Sequence, residues 1–246
     1  MGGREALAEA GDVEGWLSPD QAERLWNAAA RVRPPGRIVE IGSFRGRSTI
    51  VLRRAAAPGV ELVAIDPHGG SDRGPREITA DAGRGEADHE AFHANLRTAG
   101  VDAGVRHVRR PSQDALGEVE GPHDVLYVDG AHRYGPARAD IERWGARTSQ
   151  GGTMLVHDAY NAVGVMLAQL RLLVPSRRWR YLGRTRSLAE YRREDLSGLP
   201  WLRNAARQLG GVPYFVRNGL IKVALVAGLR PLAHRLGLPD GDAWPY

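Results

Sequence analysis

Three features of the sequence predict an α/β fold with a mostly parallel sheet and one antiparallel strand. Apolar runs around Ile38 and Val39 and at 60–65, 105–108, 123–128 and 153–156 alternate with stretches that suit helices. Strands buried between helices on both faces of a sheet read this way. The first run passes into a glycine turn and a helix start, the strand–turn–helix of a nucleotide-binding crossover. Two further runs, 179–182 and 187–191, read as a hairpin joined through 183–186, and such a closing hairpin supplies the antiparallel strand.

The totals set outer bounds. A chain of 246 residues is long enough for one well-buried domain of the larger kind. It has no cysteine, which excludes disulfides, thiolate metal sites and a cysteine nucleophile. The first fifteen residues mix charges of both signs without an apolar core, so they are not read as a secretory signal. No apolar run is long enough to cross a bilayer, and a cytoplasmic location is the default expectation. The net charge is +5, but residues 1–170 carry 20 basic and 24 acidic residues whereas residues 171–246 carry 14 and 5. Lys222 is the only lysine. The preference for Arg fits a GC-rich genome; the gathering of charge at one end is a separate feature.

In chain order, residues 1–15 are expected to be a flexible terminus. Ser18, Pro19 and Gln21 then form a capping box for a helix whose Leu25, Trp26, Ala29 and Val32 share a face. That helix is placed beside the first strand, where it forms part of a wall over the ligand site. After the strand the pattern is E-x-G-x-x-x-G, from Glu40 through Gly42 to Gly46, and not the G-x-G-x-x-G of a dinucleotide fold. A helix follows over 48–57. The second strand, 60–65, stops at Asp66, 20 residues after Gly46. An acidic residue there is placed to accept hydrogen bonds from both ribose hydroxyls. Residues 67–87 read as a long loop, 88–99 as a helix, and 105–108 as the third strand. Ser112, Gln113 and Asp114 follow it, placed to touch an adenine ring. The fourth strand ends in Asp129 and His132. A helix over 137–146, with Ile141 and Trp144 inward, and the turn Gly151-Gly152 lead to the fifth strand. That strand ends in His157, Asp158 and Tyr160, before an apolar helix over 163–173.

EIGSFRGRST, AIDPH, YVDGAHRY and GGTMLVHDAY stand in the order and spacing of a known group. Over roughly 14–192 the chain resembles class I S-adenosylmethionine-dependent methyltransferases, in particular methyltransferase family 24. The resemblance implies a Rossmann-like seven-stranded sheet with helices on both faces, and transfer of the sulfonium methyl group. The cofactor-binding set is then Glu40, Gly42, Ser43, Gly46, Ser48, Asp66, Ser112, Gln113, Asp114 and Asp129. The expected units are a flexible 1–15, a methyltransferase domain over 16–192, and a basic, partly apolar helical extension over 193–246.

Asp66, Asp129 and Asp158 fall along the edge of the sheet where open α/β folds bind ligands. A hydroxyl acceptor must lose its proton during methyl transfer, and two routes are open. Asp129 and Asp158 can together hold Mg²⁺ or another divalent cation, lowering the acceptor's pKa. His132, with an ordinary pKa near ~6.5, can act as general base beside Asp129. Metal-dependent catechol O-methyltransferases are similar in this layout, except that they carry an asparagine ligand where this chain has Ala159, with Asn161 two residues further on. His157 is expected to pack rather than to ligate. Tyr134 and Tyr160 are candidates for the acceptor pocket, and His68, His89 and His93 are expected to be solvated.

These residues predict an O-methyltransferase for a hydroxyl of a small molecule or sugar unit, as in natural-product or glycan tailoring. The rival readings are a nicotinamide-dependent dehydrogenase, which the glycine spacing and the two late aspartates disfavour, and a non-catalytic cofactor-binding or membrane-associated scaffold. The extension is expected to be dispensable for cofactor binding, and to serve packing over the sheet or homo-oligomer (dimer) contacts more than peripheral membrane contact. No nucleic-acid motif accompanies its charge.

Overall fold

The computed structural model describes residues 1–71 and 79–238. Its core is one seven-stranded sheet: β1 (Arg37–Ile41), β2 (Glu61–Ile65), β3 (Val105–Val108), β4 (His123–Val128), β5 (Thr148–Val156), β6 (Trp179–Thr185) and β7 (Leu188–Arg193). The spatial order is β3-β2-β1-β4-β5-β7-β6. All neighbours pair in parallel except β7, which runs antiparallel to both β5 and β6. This is the sheet the sequence predicts.

Side chains divide by strand parity between two cores. Val39, Ile41, Leu126, Val128, Met154 and Val156 face one side, with Ile141, Trp144 and Met166. Ile38, Leu62, Val125, Tyr127 and Leu155 face the other, with Leu25, Val51 and Leu52. Burial on both faces is why the strands lack an apolar–polar alternation. The helices on the second side include α2 (Pro19–Ala29) and α3 (Arg47–Ala55), and those on the first include α6 (Tyr134–Ala139) and α7 (Val163–Leu172). Successive strands leave β1 in opposite directions, so its junction with β4 is the switch point at which such sheets bind ligands.

Several expected boundaries move. Residues 1–15 contain a packed helix, α1 (Gly3–Glu9), with Ala6 and Leu7 buried against α2, because those two apolar side chains suffice to dock one short helix. Of the loop expected over 67–87, residues 72–78 lie outside the described residues and 82–87 are helical: α4 (Ala82–Thr98) begins where Asp81 caps it through Arg84 N–H. Ser112–Ala115 forms a single helical turn, α5. The expected 137–146 helix becomes α6 followed by a π-helical turn, Asp140–Trp144. β5 starts five residues early, since Thr148 already pairs with His123.

The C-terminal extension is helical: α8 (Gly198–Leu209), α9 (Val212–Val226) and α10 (Arg230–Arg235). It is not a detachable appendage. Asn204 accepts from Tyr181 N–H at 2.7 Å and donates to Trp179 O at 2.9 Å, covering the edge strand β6. Tyr160 donates its hydroxyl proton to Gln208 O at 2.9 Å, and Lys222 Nζ donates to Asn161 O at 2.9 Å. The extension therefore packs on the sheet edge and against the loop that ends β5, as the packing reading expects. Among the described residues no helix is long and apolar enough to cross a membrane.

Candidate active site

The carboxyl ends of β1, β2, β4 and β5 open into one cavity of about 470 Å³, a volume typical of small-molecule sites. Of the residues expected from the sequence, Gly42, Asp66, Ser112, Gln113, Asp129, His132 and Asp158 line it. Asp66 accepts the N–H groups of Phe44 and His68, each at 2.8 Å and each on a different carboxylate oxygen. It thereby ties the turn after β1 to the end of β2. Gly42 has φ +86°, and a Cβ there would stand 2.1 Å from Asp129 O. The close approach of β1 to β4 sets this glycine.

The rest of the expected cofactor set does not form the cavity wall. Glu40 is fully buried beneath it and accepts from Ser48 Oγ and Thr49 Oγ1, both at 2.5 Å. It fastens the first turn of α3 to β1. Burial, opposed by these two hydrogen bonds, pushes its pKa up to about 7. Ser48 is spent on Glu40, and Gly46 (φ +89°) caps α3 facing Phe92. Ser43 is buried, with no hydrogen-bond partner for its hydroxyl among the described residues. Asp114 points to solvent because the α5 turn rotates it away from Ser112 and Gln113.

Asp140 is a wall residue the sequence reading missed. Its Oδ1 accepts from Ser112 Oγ at 2.5 Å and from Gln113 Nε2 at 2.6 Å. Burial, against those hydrogen bonds, raises its pKa to about 6. A signal existed: Asp140 lies four residues before the inward Trp144, on the same helical face. Trp16 also lines the cavity, stacked on Phe44 with ring centroids 5.5 Å apart.

At the far end, two histidines and two aspartates interlock. His132 Nε2 lies 3.0 Å from Asp158 Oδ2, and His157 Nδ1 lies 3.0 Å from Asp129 Oδ1 and 3.8 Å from Asp158 Oδ2. Asp158 Oδ1 accepts from Asn161 Nδ2 at 2.9 Å, and Asp129 Oδ2 accepts from the Tyr127 hydroxyl at 2.7 Å. Burial alone would lower both histidines. The charges of Asp129 and Asp158 override it for His157 and carry its pKa up to about 9. The bond and charge of Asp158 raise that of His132. Asp158 is buried, which by itself favours the acid, yet the charge of His157 and the bond from His132 hold it well below the carboxylate range.

Mg²⁺ on Asp129 and Asp158 does not fit this arrangement. Three of the four carboxylate oxygens already face Tyr127, Asn161 or His132 as donors, whereas Mg²⁺ takes oxygen ligands in an octahedron with several waters. Asn161 turns its amide N–H to Asp158, so it does not replace the ligand missing at Ala159. The sequence showed two converging acids but not the cation from His157 that separates them. Tyr134 and Tyr160 are not cavity residues: Tyr134 is exposed, and Tyr160 is buried with its hydroxyl on Gln208. His68, expected to be solvated, is buried, and His93 and His89 are half-buried. Asp158 (φ +51°) and Tyr160 (φ +58°) both hold left-handed backbone, a strain on the order of 1–3 kcal/mol each that clusters at functional sites. The bonds from Asn161 and to Gln208 hold the loop in that shape.

Residues 39–159 match a family model described as a methyltransferase domain. A curated relative, the uncharacterized protein y4gI of Sinorhizobium fredii, is 30% identical over 128 residues, covering 50% of this chain. The chain spans only 13% of that relative's length. Among solved structures, the SAH-bound methyltransferase PaMTH1 of Podospora anserina superposes with TM-score 0.58 at 18% identity, over 78% of this chain and 88% of the other. An O-methyltransferase from Bacillus cereus in complex with SAH does so with TM-score 0.54 at 16% identity, over 77% and 91%. At these identities the structural likeness bears on the fold.

Proposed function

We propose, from the match of residues 39–159 to a methyltransferase-domain family, that the chain is a class I methyltransferase of family 24 that moves the methyl group of S-adenosylmethionine to a hydroxyl oxygen of a small molecule or sugar unit. The catalytic unit spans 16–192, completed by the helices that follow. The observation that carries the reading is the His132–Asp158 pair, 3.0 Å apart on the wall of the cavity that also holds Asp66.

When bound, S-adenosylmethionine supplies an activated methyl group on a positively charged sulfur. The residues present fit it: Asp66 for the ribose hydroxyls, and Ser112 and Gln113, fixed by Asp140, at the adenine end. Trp16, stacked on Phe44, adds an aromatic stretch to the cavity wall. His132 commits Nε2 to Asp158 and takes the acceptor proton on Nδ1, while Asp158 holds the ring and stabilises the imidazolium that forms. His157, whose pKa the two carboxylates raise, packs against Asp129 and Asp158 and fixes their positions. A hydroxyl acceptor is favoured because the transfer liberates a proton that this pair is built to receive.

Calorimetric titration with S-adenosylmethionine and with NAD, then turnover on a panel of hydroxylated sugars and phenols with and without EDTA, tests the reading. Binding of S-adenosylmethionine alone and full turnover in EDTA are expected. Binding of NAD alone would return the dehydrogenase, and loss of turnover in EDTA restored by Mg²⁺ would return the metal route.

Homo-oligomer formation through the extension is also proposed. Leu202, Leu209, Val216, Leu220, Val223 and Val226 leave apolar surface exposed on α8 and α9, which the like face of a second copy would cover. Light scattering of the wild type and Leu220→Asp checks it, and a monomeric wild type would remove it.

A further inference from the structure

We propose that His89, His93 and His107, with His68 as fourth ligand, form a transition-metal site of the zinc class beside the cofactor cavity. The three side chains first named present ring nitrogens that all lie within 4.8 Å of one another. His89 and His93 stand one turn apart on α4, and His107 sits on β3 beneath them. His68, three residues beyond β2, stands beside these three with its Nε2 3.2 Å from His107 Nε2, and would join them as fourth ligand.

The spacing is that of ligands. Tetrahedral Zn²⁺ with Zn–N of ~2.0–2.1 Å keeps its ligand nitrogens ~3.3 Å apart. His68 Nε2 lies 3.2 Å from His107 Nε2, and His89 Nε2 lies 3.2 Å from His93 Nε2. Four imidazoles with no cysteine in the chain select Zn²⁺, Co²⁺ or Ni²⁺ over Mg²⁺ or Ca²⁺. An unprotonated imidazole nitrogen offers its lone pair to such an ion. His89 Nδ1 is 3.4 Å from Glu86 Oε1, the carboxylate–histidine contact that orients a metal ligand and leaves Nε2 for the metal. Arg109 Nη1 lies 3.3 Å from the same Nδ1, and its charge is paired with Glu86 at 2.6 Å.

The site adjoins the nucleotide end of the cavity. His68 lines that cavity, and its backbone N–H donates to Asp66. A metal that fixes His68 therefore fixes Asp66, and metal and nucleotide affinities are coupled reciprocally.

The test uses the untagged full chain stripped with chelator, titrated with Zn²⁺ by calorimetry and with Co²⁺ by its visible absorption. One ion per chain and the intense absorption of tetrahedral Co²⁺ are expected. His93→Ala and, separately, His107→Gln should each weaken binding by at least ~100-fold, beyond the ~10–100-fold that loss of an outer partner costs. Circular dichroism checks that each is folded, and His89→Gln, on the more open side of the cluster, serves if either is not. Asp158→Asn should leave the affinity unchanged. The site is overturned if the wild type takes up no ion, if folded histidine variants bind as the wild type does, or if Asp158→Asn abolishes binding. Zinc uptake in a chain that does not bind S-adenosylmethionine would refute the cofactor reading while supporting this one.

Discussion

Two sets of histidines flank one cavity and behave oppositely. His132 and His157 sit between Asp129 and Asp158 and are pushed toward the charged form. His68, His93 and His107 sit among each other, Phe92 and Arg109, and are pushed toward the neutral form. Burial opposes the charged form in both sets. What separates them is whether carboxylates converge on the ring. The first set is built to carry protons and charge, the second to offer lone pairs. A sequence position for histidine says nothing of which it will be.

The largest expected effect bears on the first set. His132→Ala should lower kcat by ~10²–10⁴, the worth of a positioned general base, with S-adenosylmethionine affinity unchanged by calorimetry. Asp158→Asn sharpens this. His132 works only when unprotonated and its pKa is raised, so wild-type kcat should rise with pH through a value above the ordinary histidine one. Removing the carboxylate should move that limb to lower pH and reduce the plateau. An unmoved limb would break the pairing of the two residues.

Next in size is stability against pH, where the two sets should pull in opposite directions. His157 titrates at about 9 in the fold and near ~6.5 unfolded. Its contribution, on the order of a few kcal/mol, is fully present below the unfolded pKa and is lost as pH rises through about 9. His68 and His107 have depressed values, about 4 and about 3, so their contribution is present above ~6.5 and is lost as pH falls toward those values. Urea midpoints from pH 4 to 10 should fall at both ends. His157→Gln should flatten the alkaline fall only, and His107→Gln the acid fall only. If either variant alters both limbs alike, the contrast fails.

A smaller effect is expected at the link between the sets. Asp66→Ala should weaken S-adenosylmethionine binding by ~1.5–3 kcal/mol, the range for hydrogen bonds to a charged group, as read by calorimetry. Unchanged affinity in a folded variant would remove Asp66 from the cofactor site.

The fold was legible because its signals are local. The strands at 105–108 and 123–128 occur at the predicted residues, and Ser18 and Gln21 form the predicted capping box. The site was legible where strand ends alone place a residue, as for Asp66, Asp129, His132 and Asp158. It was not where a long-range partner decides the role. Glu40 looks like a ligand residue until Ser48 and Thr49 close over it. Gln21, read as a cap, also reaches His157 at 3.3 Å across 136 positions of sequence. The histidine cluster joins β2, α4 and β3, so no single window contains it.

The smallest effect tests whether the carboxylate-rich set extends into the C-terminal helices. Lys222, the only lysine, crosses from α9 to donate to Asn161 O at 2.9 Å. Asn161 in turn donates to Asp158. Burial lowers the Lys222 pKa, and the charge of Asp158 works against that fall, so the ammonium is held toward Asp158. Lys222→Met keeps most of the apolar stem and removes the donor and the charge. The bond is made by a charged group but must offset its own desolvation, so the expected loss is about 1 kcal/mol, or a Tm lower by about 2–4 °C. Because Asn161 still reaches Asp158, kcat should fall less than ~10-fold, well below the range for a lost general base. An unchanged Tm and kcat would confine the set to the sheet edge. A fall in kcat as large as that of His132→Ala would instead place Lys222 among the groups that handle the proton.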